Sequence, residues 1–386
     1  MNGRGGRVMF YVQHLLGVGH QVRAAAITRA MQARGMDVHY VSGGFDEAGQ
    51  DLGGARRLQL PPARTADAGF STLLDAAGQP VDAAWEDKRR RALLEVFESV
   101  SPDLLLIESF PFGRRRFRFE LLPLLEAARG KAVIAASVRD ILVERDDPER
   151  TRWIVGIAES LFDAVIVHGD PGIVEFRDTF AGADAIEHLI RYSGYVTAAA
   201  ARNRRRRTNT VLVSAGGGAV GGTLLRTAIA ARPLTRLADA PWRLVTGPNL
   251  PESDRNSITL PDGVTADTFI ADFRGTLDKV AVSVSQAGYN TVMDLYATAT
   301  PAVLVPFSSH GETEQFRRAS ILAERGHFQL VPEPQLTAET LARAIDRALV
   351  APPPDPSGVD FNGAANTADI VASLIADRPA PPPLPN

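Results

Sequence analysis

Apolar residues along this chain fall in short continuous runs, each followed by a longer stretch in which they recur every three or four positions. The runs begin at Val8–Val12, Val38–Val41, Leu104–Ile107, Ala132–Val138 and Ala164–Val167. A second series comprises Thr210–Val213, Arg243–Val245, Val264–Phe269, Val280–Val284, Ala302–Val305 and Gln329–Val331. Continuous runs this short are what parallel strands look like when helices cover both faces of the sheet. Between the runs the period shifts: Val22, Ala25, Ala26, Ala30 and Ala33 mark one face of a helix that ends before Gly35. Strand alternating with helix along the whole chain predicts a doubly wound α/β fold.

The two series are separated by Thr197–Thr208, which contains Arg202-Asn203-Arg204-Arg205-Arg206-Arg207. A charge block of this kind reads as a solvated linker, with contact to anionic lipid head groups as the alternative. Residues 1–200 are therefore expected to form one Rossmann-like domain and 209–350 a second, facing it across a cleft. Residues 351–386 are expected to form a proline-rich crossing segment, a C-terminal helix and a mobile tail. Its two proline-rich stretches are Ala351–Pro356 and Arg378–Asn386.

Composition narrows the partners. The 386 residues are 45% hydrophobic and 23% charged, globular values, and exceed what one core ordinarily holds. A net charge of -3 gives no overall attraction to nucleic acid or to an anionic membrane. The absence of cysteine excludes disulfides and thiolate chemistry and suits a reducing cytosol. No secretory signal is expected at Met1–Gly6, and no apolar stretch approaches the roughly 18–20 residues of a membrane span. A cytoplasmic protein follows, with at most peripheral contact at the inner membrane face and no nucleic-acid partner.

Candidate chemistry sits where strands run into helices. The first strand leads to His14-Leu15-Leu16-Gly17-Val18-Gly19-His20 and then a helix from Gln21. Gly17 and Gly19 allow a tight turn and close approach of a ligand, and the helix N-terminus offers N–H groups. A plain strand-to-helix turn would need the glycines but not His20, whose imidazole falls at the carboxyl edge of the sheet, where open α/β folds bind ligands. Glu108 closes the strand Leu104–Ile107 and Asp140 follows the strand ending near Val138, so both reach the same edge. Three such groups are what general-base catalysis requires, although each by itself could serve as a cap or in a salt bridge. Arg139 could pair with a phosphate or with either acid. The second half repeats the theme. Ser214, Gly216, Gly217 and Gly218 form a flexible turn suited to cradling phosphate. Further on, Val282–Asp294 carries a strand into a helix near Tyr289, where the first turn and Thr291 can meet a diphosphate. Asp294, three residues past Thr291, shares its helix edge and can accept from a ribose hydroxyl. The polar cluster Pro306–Gln315 suits a sugar.

At these residues the chain resembles glycosyltransferase family 28, which includes the bacterial enzyme that adds N-acetylglucosamine to the undecaprenyl-linked peptidoglycan precursor. Phe269-Ile270-Ala271-Asp272-Phe273 is similar to the family segment whose backbone reads uracil. Gly288–Asp294, with Asn290 and Thr291, is similar to its glycine-x-x-threonine-x-x-acid pattern, with Asp294 in place of the usual glutamate on the ribose. Glu314-Gln315 falls where the family has a polar pair on the donor sugar, and Gly17-Val18-Gly19-His20 resembles its first glycine loop. More closely, Glu108–Gly113, Val138-Arg139-Asp140 and Val167–Pro171 resemble a branch of predicted bacterial glycosyltransferases.

The resemblance implies a GT-B fold and an inverting transfer of a hexose or N-acetylhexosamine from a UDP-sugar to an acceptor hydroxyl deprotonated by His20. Glu108 or Asp140 supports or replaces that base. The acceptor stays open between a lipid-linked molecule and a small metabolite. No cofactor is expected beyond the donor substrate. No Asp-x-Asp occurs, and His20, His168 and His310 show no ligand-like spacing, so no metal is expected. Two other readings share the fold: a nucleotide-sugar 2-epimerase, and a non-catalytic nucleotide-sugar-binding subunit.

Overall fold

The computed structural model describes residues 5–15, 19–45, 50–65, 72–142, 147–197, 207–217, 220–307 and 313–378. The chain divides into two compact units, Met1–Thr197 with Asp360–Asn386 and Ala198–Val359.

The N-terminal unit alternates strand and helix as the hydrophobic pattern requires. Its elements are β1 (Gly5–Val12), α1 (Gly19–Ala33), β2 (Met36–Ser42), β3 (Arg56–Gln59), the short antiparallel pair β4 (Arg64–Thr65) and β5 (Leu73–Leu74), α2 (Ala83–Val100), β6 (Leu104–Glu108), α3 (Arg118–Ala128), β7 (Val133–Arg139), α4 (Pro148–Leu161), β8 (Ala164–His168) and β9 (Ile190–Tyr192). Seven strands pair in parallel in the order β3-β2-β1-β6-β7-β8-β9. Helix starts follow local chemistry. Asp82 accepts from Trp85 N ahead of α2, and Asp147 accepts from Arg150 N ahead of α4, where Pro148 opens the helix. The strands β3 and β9 are not evident as apolar runs. Both lie at the edges of the sheet, so Arg56, Arg57 and Arg191 replace the residues a doubly covered strand would carry.

The C-terminal unit contains β10 (Val211–Ser214), α5 (Gly222–Ala231), β11 (Trp242–Val245), α6 (Glu252–Asn256), β12 (Val264–Asp267), α7 (Phe273–Leu277), β13 (Val282–Ser285), α8 (Tyr289–Ala297), β14 (Ala302–Leu304), α9 (Glu314–Glu324), β15 (Gln329–Leu330) and α10 (Ala338–Val350). Its six strands are parallel, in the order β12-β11-β10-β13-β14-β15. The chain then returns to the N-terminal unit through α11 (Gly363–Ala376), whose Ala368 and Val371 pack with Ala24, Ile27 and Met31 of α1 over one face of the sheet. On the other face Tyr11, Ile107 and Ala136 meet Leu93 and Phe97 of α2, Leu121 and Leu124 of α3, and Ile154 of α4.

Arg207, the last residue of the arginine run, is not a solvated linker residue. Its guanidinium donates to the carbonyls of Leu277, Val280, Thr298 and Ala299 at 2.9–3.3 Å, closing the C-terminal ends of α7 and α8. The rest of the run, Arg202–Arg206, lies outside the described residues.

Inside the N-terminal unit Arg89 and Glu120 are fully buried and paired, with Arg89 Nε 2.8 Å from Glu120 Oε2. Tyr11 donates to Glu120 Oε1 at 2.5 Å, and Arg89 donates to Gln13 Oε1 (2.5 Å), Gly43 O (2.8 Å) and Pro61 O (2.6 Å). A β-carbon at Gly43 would collide with Gln13 Oε1 and Arg89 Nη2, so only glycine lets the chain leaving β2 come this close. The network ties the loops after β1, β2 and β3 to α2 and α3. Glu120→Leu leaves the arginine charge buried without its counter-ion and is expected to destabilise the unit by about 3–5 kcal/mol. Chemical denaturation of the variant and the wild type measures this, and equal midpoints would refute the network's role.

Candidate functional site

In each sheet the strand order reverses once, between β1 and β6 and between β10 and β13. At such a reversal the following connections diverge and leave a crevice beyond the carboxyl ends of the strands. Of the residues singled out in the sequence, His20 and Glu108 stand at the first of these places, and Ser214, Gly216, Gly217 and the start of α8 at the second.

In the N-terminal unit, β1 ends at Val12 and is followed by buried Gln13 and His14. The chain re-enters regular structure at Gly19, the first residue of α1, one residue before His20. Gly17 lies outside the described residues. Glu108 is the last residue of the neighbouring β6. His20 Nδ1 is 2.5 Å from Glu108 Oε1, with side chains 14% and 1% exposed. Arg23 Nη2 lies 2.5 Å from the same oxygen. His20 and Arg23 are three residues apart on α1 and so share a helix face, as i, i+3 spacing requires. Arg114 comes from the loop after β6, on a left-handed backbone (φ 57°), and its Nε donates to Gln13 O at 2.7 Å.

Burial is the largest influence on His20 and disfavours its charged form; Glu108 opposes this, while Arg114 and Arg139 reinforce it, and the imidazole pKa is lowered to about 4. Burial pushes Glu108 upward, but His20, Arg23 and Arg114 outweigh it and hold the carboxyl well below its ordinary range. The pair at neutral pH is thus a neutral imidazole against a carboxylate. With Nδ1–H donating to Glu108, the lone pair is on Nε2.

Asp140 is buried in the turn after β7. Its Oδ1 accepts from Ile141 N at 2.9 Å and its carbonyl from Thr179 Oγ1 at 2.7 Å, and Gly169 packs on its Cβ. Glu108, and not Asp140, is the acid bonded to His20. His168 is held between Ser137 Oγ (2.6 Å) and Ser193 Oγ (2.9 Å), and burial keeps it neutral.

In the C-terminal unit, Ser214 ends β10 and its carbonyl accepts from Gln286 N across the reversal, at 3.3 Å. Gly216 turns with a left-handed φ of 60° and donates to Ser214 Oγ at 3.3 Å, with Gly217 next to it; Gly218 lies outside the described residues. Gly221 and Gly288 precede α5 and α8 without offering a capping side chain. Asn290 and Thr291 stand in the first turn of α8, with Asp294 one turn on, 21% exposed and 4.0 Å from Arg274 Nη1. Phe269 is 72% exposed beyond β12, and Ile270 is buried.

Glu314 and Gln315 both have partners within the unit. Glu314 is buried and accepts from Arg318 Nη2 at 2.9 Å, and that guanidinium lies over the Tyr289 ring at 5.4 Å. Gln315 Oε1 accepts from Ala287 N (3.1 Å) and Phe307 N (3.2 Å), joining the loops after β13 and β14. The first turn of α9 thus braces the loops after β13 and β14 and the start of α8. Arg23, Arg318 and Arg274 were not singled out in the sequence; only the three-residue offset of Arg23 from His20 offered a signal. Among the described residues no three histidine or acidic side chains gather as a metal-binding group, and no helix is long and apolar enough to cross a membrane.

Residues 211–356 match the profile of the glycosyltransferase family 28 C-terminal domain. A stretch of 96 residues is 35% identical to the UDP-N-acetylglucosamine--N-acetylmuramyl-(pentapeptide) pyrophosphoryl-undecaprenol N-acetylglucosamine transferase of Chromohalobacter salexigens. That stretch is 24% of this chain and 26% of the relative, so the match spans about a quarter of the relative's length. Among solved structures, the calicheamicin glycosyltransferase CalG4 superposes with a TM-score of 0.62 at 16% identity, over 97% of this chain and 95% of that one. Acinetobacter baumannii MurG superposes with a TM-score of 0.58 at 14% identity, over 96% and 100%. The C-terminal unit is therefore similar to the glycosyltransferase family 28 C-terminal domain, and the chain as a whole shares the two-unit GT-B fold of these solved structures.

Proposed function

We propose that this chain is a glycosyltransferase that moves a hexose or N-acetylhexosamine from a UDP-sugar to an acceptor hydroxyl, with inversion and without a metal ion. The observation that carries the reading is the 2.5 Å pairing of His20 Nδ1 with Glu108 at the strand reversal of the N-terminal unit. It leaves a basic nitrogen, Nε2, on a side chain that is still 14% exposed. The family 28 match over residues 211–356, and the UDP-sugar in the name of the relative from Chromohalobacter salexigens, favour a nucleotide-sugar donor in the C-terminal unit.

In this reading His20 Nε2 takes the acceptor proton as the acceptor oxygen bonds to the anomeric carbon. The bond from that carbon to the diphosphate oxygen breaks, and UDP leaves with the electron pair. The imidazolium that forms is stabilised by the Glu108 carboxylate. Loop amides after β10 and the N-terminal turn of α8 receive the diphosphate charge, and Asp294 accepts from the ribose. Incubation with a panel of UDP-sugars and hydroxyl acceptors, followed by mass spectrometry, tests the reading. A glycosylated acceptor of inverted anomeric configuration supports it. Donor converted without any acceptor indicates an epimerase, and donor left intact throughout indicates a binding subunit; either overturns it.

UDP is expected to bind well ahead of GDP or ADP in calorimetry. Asp294→Ala should weaken UDP binding by about 1–3 kcal/mol, the range for a hydrogen bond to a charged group. Unchanged affinity would remove Asp294 from the site.

His20→Ala should depress turnover about 10²–10⁴-fold, with little change in UDP affinity. Because the imidazole pKa is lowered to about 4, the base form persists as pH falls. The wild-type rate should therefore stay level from about pH 8 down past the ordinary histidine midpoint of about 6.5. A half-loss of rate at that midpoint would contradict the buried, charge-opposed imidazole.

Turnover is expected to survive EDTA. Loss of turnover with EDTA and recovery on adding magnesium or manganese would show that the leaving group needs a cation.

A further inference from the structure

We propose that Arg23 is a positioning residue for His20: bonded to the same Glu108 oxygen, it keeps that carboxylate ionised and so dictates which imidazole nitrogen carries the lone pair. Its purpose rests on the transfer reading above, but its content rests on bond geometry in the N-terminal unit. The Arg23 side chain is 2% exposed, with Nη2 2.5 Å from Glu108 Oε1 and 3.3 Å from His20 Nδ1. Glu108 Oε1 thus has two close nitrogen neighbours, one on the imidazole and one on the guanidinium.

A guanidinium has only donors, which leaves two arrangements of the imidazole to compare. In the first, Nδ1–H donates to Glu108 and the lone pair is on Nε2. In the second, Nδ1 accepts from Arg23 and Nε2 carries the hydrogen. The second sets the Nδ1 lone pair against a carboxylate oxygen at 2.5 Å, which is repulsive unless Glu108 is protonated. A buried arginine bonded to that oxygen opposes protonation of the carboxyl. The first arrangement is the consistent one.

The charges facing His20 support a role beyond packing. Glu108 on β6 draws a proton toward the imidazole, while Arg114 from the following loop and Arg139 on β7 oppose it. Arg23 adds a third positive charge, directly on the carboxylate. His14, beyond β1, and His168, on β8, are kept neutral by burial and add no charge. Among the described residues, the other charges near α1 are paired elsewhere: Asp369 of α11 with Arg34, and Asp37 of β2 with Arg7 and His39. Without Arg23 the pull of Glu108 is less opposed, so His20 would take up a proton at higher pH than in the wild type.

The test is NMR of the full-length protein labelled with ¹⁵N-histidine, with His20 assigned through H20Q. Two-bond proton–nitrogen correlations report the tautomer and the titration of each ring. The wild type is expected to show His20 with hydrogen on Nδ1 and a midpoint well below the ordinary value of about 6.5. In R23Q the midpoint should rise by about one unit or more, and R23K, which keeps the charge, should lie closer to wild type than R23Q does. Hydrogen on Nε2 in the wild type, or R23Q titrating together with the wild type, would overturn the proposal. If R23Q melts as an unfolded chain, the wild-type tautomer and the R23K midpoint decide. UDP calorimetry on R23Q is a separate control. Retained affinity with an unshifted His20 refutes the role of Arg23 alone, whereas failure of the wild type to bind UDP refutes the transfer reading and leaves the tautomer result standing.

Discussion

Where two neighbouring parallel strands send their connections to opposite sides, the loops beyond them part, and nothing in the sheet fills the gap. The His20–Glu108 pair and the glycine turns of the second unit are positioned by that constraint. In the N-terminal unit the reversal lies between β1 and β6, so the helix entered from one strand and the last residue of the other converge, bringing His20 to Glu108. In the C-terminal unit it lies between β10 and β13, where Ser214 and Gln286 meet through their backbones. The chemistry differs between the two, with titratable side chains at the first and glycine turns and helix starts at the second.

Convergence of this kind requires the edge to be rigid, and much of the rigidity comes from buried charge. Arg89 with Glu120 holds the three loops after β1, β2 and β3, and Arg318 with Glu314 holds the ground beneath α8. In each case the arginine reaches backbone carbonyls as well as its acid, at Gly43 and Pro61 or at Ala287. A planar donor with five hydrogens can serve one carboxylate and still fix a loop, which a lysine could not do. The same property lets Arg23 share Glu108 with an imidazole.

The legible part of this structure was the part governed by short-range pattern. Doubly covered strands announce themselves as apolar runs, and the residues ending them, Glu108 and Ser214, could be placed at a carboxyl edge from sequence alone. His20 was legible for the same reason. The edge strands β3 and β9 were not, because one side lacks a neighbour and arginine is admitted there. Arg23 and Arg89 escaped notice because a charge on a helix ordinarily faces water, and only tertiary packing decides otherwise. For Glu314 and Gln315 the sequence did not reveal their partners within the fold: Glu314 accepts from Arg318, and Gln315 Oε1 accepts from two loop amides. Arg207 shows the same limit, since a run of arginines does not reveal which one finds a helix end.

The return of α11 to the first unit bears on the order in which a ribosome can finish this protein. The face of α1 that carries Ala24, Ile27 and Met31 is closed by Ala368 and Val371, and Tyr195 N bonds to Asp360 O. Asn366 reaches the carbonyl of Ser193. These contacts join residues separated by the whole second unit. As the chain emerges N-terminus first, the second unit can be completed as one continuous segment while the first still lacks its final helix. Until then the nascent chain shows an apolar helix face to its surroundings, a surface of the sort that chaperones bind and that aggregates share. The unit that begins the chain is thus the last to be closed.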